Sequence, residues 1–258
     1  MCIRFLYSSP VDLRERREQL GFRHPWEIVR ARFFRNHIVK SAGNHPVDIL
    51  DLGSGDCWFA EQLLPRLPLG STITCCDINF SDLDLSTPAA SGITKIRDVT
   101  EGRFDIIILL DVIEHIANDV DFLQHNVQPK LAEGGIVLIS VPAHPSLFSE
   151  HDKFLGHYRR YTRRQILDIT NKVFAPRKNG YLFVSLALVR FLQRLLPQKG
   201  RGDHQGVGSW NSGRFLTHLV TLFLSIDALA SIALRVLRIY LPGLTVWVSC
   251  TEKVVKAQ

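Results

Sequence analysis

Four aspartates and four histidines in this chain stand where they could bind a ligand or move a proton. Asp51 precedes the turn Gly53-Ser54-Gly55, and Asp77, Asp98 and Asp111 each close a strand-like run. His115, His144, His151 and His157 follow the later runs. A carboxylate accepts two hydrogen bonds at once, which suits the paired hydroxyls of a ribose. Glycines without a Cβ let a ligand lie against bare backbone. Histidine titrates near neutrality and is the usual carrier of a proton in catalysis. The chemistry in view is the binding of a nucleoside cofactor beside an acceptor that gives up a proton.

The elements around these residues predict how they are positioned. Residues 47–52 form a short apolar run, which predicts a buried parallel strand. The glycine turn follows, and residues 59–64 read as a helix. Strand, glycine turn and helix make the opening unit of a nucleotide-binding α/β sheet. A dinucleotide fingerprint asks for a small residue where this chain has Trp58, which disfavours a nicotinamide cofactor. S-adenosyl-L-methionine has no pyrophosphate, and its site needs only the acid before the turn and two glycines. Residues 72–77 predict a second strand that delivers Asp77 to the ribose hydroxyls. Residues 93–98 predict a third, with Asp98 set to accept from the adenine amino group and the Val99 amide facing the ring. A turn or helix-capping role for Asp98 is the alternative. Residues 104–111 are almost uninterruptedly apolar and predict a central strand buried on both faces. A helix is expected over 118–128, a fifth strand over 134–142 after a diglycine turn, a sixth over 174–181 and a closing antiparallel strand over 244–253.

Length and composition bound the reading. The chain has 258 residues, 46% of them hydrophobic, enough for one substantial core with an elaboration. A net charge of +6 suits an anionic substrate or an acidic membrane surface and does not imply nucleic acid. The five cysteines, Cys2, Cys57, Cys75, Cys76 and Cys250, have no zinc-like spacing and predict reduced cytoplasmic thiols. Residues 1–10 are too short and polar for a secretory signal. Residues 1–45 are expected to form a helical cap, with a solvated charged face over 14–18. In its second half, Pro25 opens an amphipathic helix that either packs on the sheet or lids the cofactor with Trp26 or Arg30.

The ordered set Asp51-Leu52-Gly53-Ser54-Gly55, Asp77, Asp98, Asp111-Val112-Ile113-Glu114-His115-Ile116 and Leu131-Ala132-Glu133-Gly134-Gly135 resembles the class I S-adenosylmethionine-dependent methyltransferases. The Asp111–Ile116 phrase is similar to the branch holding quinone-pathway methyltransferases. A His157-x-x-Arg160-Tyr161-Thr162 type ending, here His157-Tyr158-Arg159-Arg160-Tyr161-Thr162, resembles a bacterial subgroup of that branch. The resemblance implies a Rossmann-like, doubly wound seven-stranded sheet with the last strand antiparallel, and S-adenosyl-L-methionine as cofactor. It implies cofactor contacts from Asp51, Gly53, Ser54, Gly55, Asp77, Ile78, Asp98, Val99, Asp111 and Val112. One position departs from the pattern. Cys57 stands where a third glycine usually follows the acid Asp56, and a side chain there would crowd the methionine end of the cofactor.

The stretch 142–162 begins at a strand's carboxyl end and so should rim the acceptor side. His151, then His157, His144 and His115, are the candidate bases. Tyr158, Arg160, Tyr161 and Trp26 are the candidate substrate contacts. Each histidine could instead only tie down a loop. Glu114, His115 and His151 could hold a divalent metal, although no ligand spacing marks one, and the reading carries no metal. Thr162 and Gln165 resemble a capping box.

The core is expected over 46–181 and its closing strand over 242–258. Between strands six and seven, residues 182–241 read as a hydrophobic helical insertion, with a glycine-rich loop over 198–209. An aliphatic surface this large calls for a use. Interfacial attachment, with Arg190, Arg194, Arg235 and Arg238 near headgroups, fits better than a span interrupted by charges. A lid over a lipophilic acceptor and a homodimer interface remain open. The expectation is a cytoplasmic enzyme, or one peripheral at the inner face of the membrane, methylating a lipophilic or anionic lipid-linked acceptor at oxygen. A non-catalytic scaffold is the alternative that Cys57 favours.

Overall fold

The computed structural model describes residues 23–195, 210 and 212–253. The expectations for the charged stretch 14–18, for Cys2 and for the glycine-rich loop 198–209 lie outside the described residues.

Seven strands form one sheet: β1 (Asp48–Leu52), β2 (Thr72–Cys76), β3 (Ile93–Ile96), β4 (Phe104–Leu110), β5 (Leu131–Pro142), β6 (Phe174–Leu182) and β7 (Thr245–Glu252). Their order is β3-β2-β1-β4-β5-β7-β6, with β7 antiparallel to both its neighbours. The chain builds outward from β1 to β3, then returns across β1 to β4. That reversal opens a crevice at the carboxyl ends of β1 and β4, where α/β sheets bind ligands. The apolar run Ile106 to Leu109 is buried on both faces because helices cover both sides. The diglycine expected to turn the chain before β5 lies inside that strand. Phe104 pairs with Leu131 and Ile106 with Ile136, so Gly134 and Gly135 form an irregularity in the ladder.

The helices are α1 (Pro25–Ala42), α2 (Trp58–Leu63), α3 (Asp82–Ser86), α4 (Asp119–Phe122), α5 (Glu150–Phe154), α6 (Arg163–Val173), α7 (Val184–Leu195) and α8 (Arg214–Val236). Pro25 occupies the first turn of α1, where its missing N–H costs nothing, and the His24 Nδ1 accepts from the Trp26 amide at 3.2 Å. The Thr162–Gln165 capping box opens α6: Gln165 N–H donates to the Thr162 hydroxyl at 3.1 Å, and Thr162 N–H to the Gln165 side chain at 2.8 Å.

Among the described residues, the insertion between β6 and β7 consists of α7 and α8. Leu224 and Ala228 of α8 join Val29, Phe34 and Ile38 of α1, with Leu182, Phe183 and Trp247, in one buried cluster. Only Thr217, Leu224 and Ala228 of α8 are fully buried. Phe215 is 81% exposed, Leu229 65%, Leu222 59% and Phe223 57%, so the helix turns most of its apolar surface outward. By length and composition α8 is apolar enough to cross a membrane. Asp227, near its middle, accepts hydrogen bonds from the backbone and hydroxyl of Ser185 at the start of α7, at 3.1 and 2.7 Å.

Candidate functional site

The glycine turn is clamped onto the neighbouring strand. Gly53 and Ser54 amides both donate to the Cys76 carbonyl, at 2.8 and 3.3 Å. Gly53 lies at φ 71°, and a Cβ there would stand 2.6 Å from Val112 Cγ2. Gly55, at φ 56°, would meet nothing within 4 Å, which leaves open space above the turn. Asp77 is buried; it accepts from the Gly55 amide at 3.0 Å and the Asn79 amide at 2.9 Å. Each of its oxygens keeps a lone pair for a further donor. One Asp98 oxygen, Oδ1, is buried without a hydrogen-bond partner and awaits a donor. Asp51 is buried beneath the turn; burial first, and then the charge of Asp77, push its carboxyl up to about 7. Open backbone, a two-oxygen acceptor and an orphaned acceptor in sequence fit ribose and adenine. Ile78 is exposed beside Asp77, and Val99 is buried beside Asp98.

Cys57 does not crowd this space. It keeps the glycine-like backbone, at φ 63°. Its side chain is 1% exposed and packs with Leu63, Ile73 and Cys75 in the core. A hydrogen bond from the Cys75 thiol holds the Cys57 thiol below its ordinary pKa. The same bond, with burial, raises that of Cys75.

The amino-terminal turns of α1 lie against the site. Arg30 ion-pairs with Asp111, and its guanidinium sits 4.4 Å from the Trp26 ring centroid. Arg23 ion-pairs with Asp56 and lies 4.3 Å from the Trp58 ring centroid. Arg23 was not legible as a site residue, because nothing in a lone arginine before a proline announces a contact 33 residues away. Asp111 takes a left-handed conformation, φ 58°, with its amide bonded to the Ser140 carbonyl at 2.9 Å. His144 is left-handed too, at φ 64°. Non-glycine residues held there cost energy and cluster at functional sites.

The acceptor-side loop is built on one buried carboxylate. Asp152 accepts from the Ser149 amide and hydroxyl at 2.9 and 3.0 Å, from His157 Nδ1 at 2.9 Å and from Arg160 Nε at 2.8 Å. Burial opposes its ionisation, but the His157 bond and the Arg160 charge outweigh burial and hold the carboxyl well below the usual range. Asp152 was not singled out from the sequence; the signal that could have found it is the capping-box spacing Ser149-x-x-Asp152.

Several expectations change. Arg160 turns inward to Asp152 and the Ala143 carbonyl, instead of meeting a substrate. Tyr161 is 1% exposed; its hydroxyl donates to Asp119 at 2.9 Å, so it ties the loop to the core rather than facing an acceptor. His144 stacks on Tyr181 and bonds through Nε2 to the Gly243 carbonyl at 3.0 Å, which makes it an anchor between β5 and the entry to β7. His157 is committed through Nδ1 to Asp152, which sets it as an oriented ring rather than a mobile base. Tyr158 is half-exposed, its amide clipped to the Glu114 carbonyl at 2.8 Å. His151 is half-buried, and burial lowers its pKa from the ordinary value, so it is neutral and able to accept a proton at pH 7. His115 is buried against His157, with ring centroids 4.6 Å apart, and burial lowers its pKa to about 4. Its ligating atom lies with those of Glu114 and His157, all within 4.8 Å of one another. His157 therefore stands where the metal alternative had placed His151.

Known proteins resemble this chain in sequence and in fold. The profile of a methyltransferase-domain family matches residues 22–232. A ubiquinone biosynthesis O-methyltransferase of Rhizobium leguminosarum bv. trifolii is 26% identical over 136 residues, 45% of this chain and 52% of that protein. The aligned stretch thus spans about half the length of the curated relatives it matches. Among solved structures, the fold is similar to the 1,6-didemethyltoxoflavin-N1-methyltransferase of Burkholderia thailandensis with bound S-adenosylhomocysteine. The TM-score is 0.51 at 13% identity, covering 89% of this chain and 81% of that one. Phosphoethanolamine N-methyltransferase 2 of Haemonchus contortus, in complex with S-adenosyl-L-methionine, gives 0.53 at 16% identity, covering 86% of this chain and 53% of that one.

Proposed function

This chain belongs to the methyltransferase-domain family, and we propose that it takes a methyl group from S-adenosyl-L-methionine and transfers it to an oxygen of a lipophilic acceptor at a membrane surface. The observation that carries the reading is the join between the histidine loop and the apolar insertion. His144 packs edge-on against Phe191 of α7 at 5.3 Å, and the charge of Arg190, also on α7, acts on His151. An acceptor approaching that loop passes the outward apolar face of α7 and α8. The quinone-pathway name of the curated relatives supports oxygen as the methylated atom.

Gly53 and Gly55 form the backbone cradle for the cofactor. Asp77 takes its ribose hydroxyls, Asp98 its adenine amino group and Asp51 its cationic end. Bound there, the cofactor supplies an electrophilic methyl carbon on a sulfonium, which departs as a neutral thioether. The protein's main work is orientation, which contributes the larger part of the acceleration in such a displacement. His151, neutral at pH 7, receives the acceptor's hydroxyl proton. The Asp152 network of His157, Arg160 and Ser149 holds the loop at one height above the sheet. Arg190, Arg194 and Arg238 meet anionic headgroups while the leucines and phenylalanines of α8 enter the interface; Arg235, expected beside them, instead turns inward over the buried Trp247 ring, 5.7 Å from its centroid. On this reading the enzyme works at the inner face of the membrane. The scaffold alternative rested on Cys57, and the burial of that thiol removes its ground.

The test incubates the full chain with methyl-labelled S-adenosyl-L-methionine, anionic liposomes and paired catechols, one with a polyprenyl tail and one without. Mass spectrometry is expected to find the label on oxygen of the tailed compound. Transfer confined to amines or to the untailed compound overturns the reading.

A further inference from the structure

We propose that Glu114, His115 and His157 form a binding site for one divalent first-row transition ion. Each residue offers one ligating atom, and the three atoms lie within 4.8 Å of one another. A metal bonded at about 2.0–2.2 Å holds its ligands roughly 3–3.5 Å apart. Binding would draw the three atoms closer by at most about 1.8 Å. All three groups come from rigid supports. Glu114 and His115 share the tight turn Ile113–His115 that follows β4. His157 is fixed by its own amide donating to the Asp152 carbonyl at 2.9 Å, and the next amide, of Tyr158, donates to the Glu114 carbonyl at 2.8 Å. One backbone hydrogen bond therefore locks the two ligand-bearing segments together.

The orienting shell is also in place. His157 Nδ1 bonds Asp152 Oδ1 at 2.9 Å, so its Nε2 faces the opposite way. A carboxylate behind a histidine, fixing its tautomer, is the usual support of a metal-bound imidazole. Asp152 is held in turn by Arg160 and Ser149. Glu114 is 0% exposed and His115 7%, so an ion here would sit in a water-poor recess. Two imidazoles and one carboxylate suit zinc, cobalt, iron(II) or manganese. Calcium and magnesium prefer sets made of oxygen. Three protein ligands leave a coordination position open. On the reading of an oxygen acceptor, that position takes the acceptor's hydroxyl and lowers its pKa before His151 receives the proton. That role rests on the proposed function, whereas occupancy of the site does not.

The experiment strips the full chain with a chelator, removes the chelator and titrates Co2+ and Zn2+. One ion per chain is expected by elemental analysis, with visible cobalt bands. Glu114→Gln and His157→Gln are expected to weaken binding by about 10–100-fold or more, and His151→Ala to leave it unchanged. If a ligand variant fails to fold, X-ray absorption of the zinc-loaded natural chain decides: two imidazole nitrogens plus oxygen support the site, while a sulfur-bearing or all-oxygen shell overturns it. No binding to the stripped chain overturns it too, and leaves methyl transfer to lipophilic acceptors standing. Stoichiometric binding without such transfer overturns the acceptor reading alone.

Discussion

Cofactor binding should drive a proton off Asp51. Burial and the neighbouring Asp77 raise its pKa from 3.8 to about 7, so below neutrality the ligand-free pocket holds it protonated. A ligand whose far end carries a sulfonium and an ammonium favours the ionised form. Affinity then scales with the ionised fraction, about one-tenth at pH 6 and three-quarters at pH 7.5, a gain of about eightfold. The window stops short of about pH 8, where an α-amino group itself titrates. Calorimetric titration of S-adenosyl-L-methionine in two buffers of different ionisation enthalpy reads both quantities. About 0.9 proton should be released at pH 6 and about a quarter at pH 7.5. Asp51→Asn should bind more weakly and show no pH slope. The linkage also has a sign for the empty protein. The folded state keeps a proton that the unfolded chain has lost, so this group's stabilisation is full below about pH 4 and fades as pH climbs to about 7. The thermal shift caused by the cofactor should therefore be larger at pH 7.5 than at pH 6. A Kd constant from pH 6 to 7.5, in a chain whose Asp51→Asn variant binds equally well, would refute the reasoning.

Gly53→Ala places a methyl against Val112 at a positive φ and should cost about 1–3 kcal/mol, read as a Tm several degrees lower with cofactor affinity reduced. Tyr161→Phe leaves Asp119 short of a buried donor and should cost about 1–3 kcal/mol while the acceptor KM stays within twofold; a raised KM at unchanged Tm would return Tyr161 to the substrate. His151→Gln should lower kcat by about 10²–10⁴-fold and erase a rate rise that, in the natural chain, follows pH upward through a value below 6.5. Leu219→Glu with Phe223→Glu, both on the exposed face of α8, should leave stability within about 0.5 kcal/mol yet abolish liposome flotation; unchanged flotation, or a dimer that the pair breaks, counts against membrane attachment.

The sheet was legible because its signals are local. An apolar run such as 106–109 can only be buried on both faces, and glycines after β1 permit a turn that few other residues do. Asp77 and Asp98 were legible for the same reason: each ends its own strand. The acceptor loop was harder to read. His144, His151 and His157 look alike in sequence, and what separates them is who else arrives. Gly243 comes from far along the chain to occupy His144, and Asp152 occupies His157. Tyr161 looked like a substrate contact because an aromatic beside arginines fits a binding rim. Its partner Asp119 sits 42 positions earlier, and no local pattern joins them. Cys57 shows the converse. Its type broke the family's pattern, but its backbone kept the glycine conformation and its thiol turned into the core.

The place of β7 has a consequence for biosynthesis. Of the sheet's seven strands it comes last in the chain, yet it fills the gap between β5 and β6. On a ribosome, β6 emerges with no neighbour to pair with, and the two greasy helices emerge after it while that gap still stands open. Domains exposing such surface before completion are prone to stray association. The residues of β7 act as a zipper for the whole flank, and a lipid surface close to the exit tunnel would shelter the helices until that zipper closes.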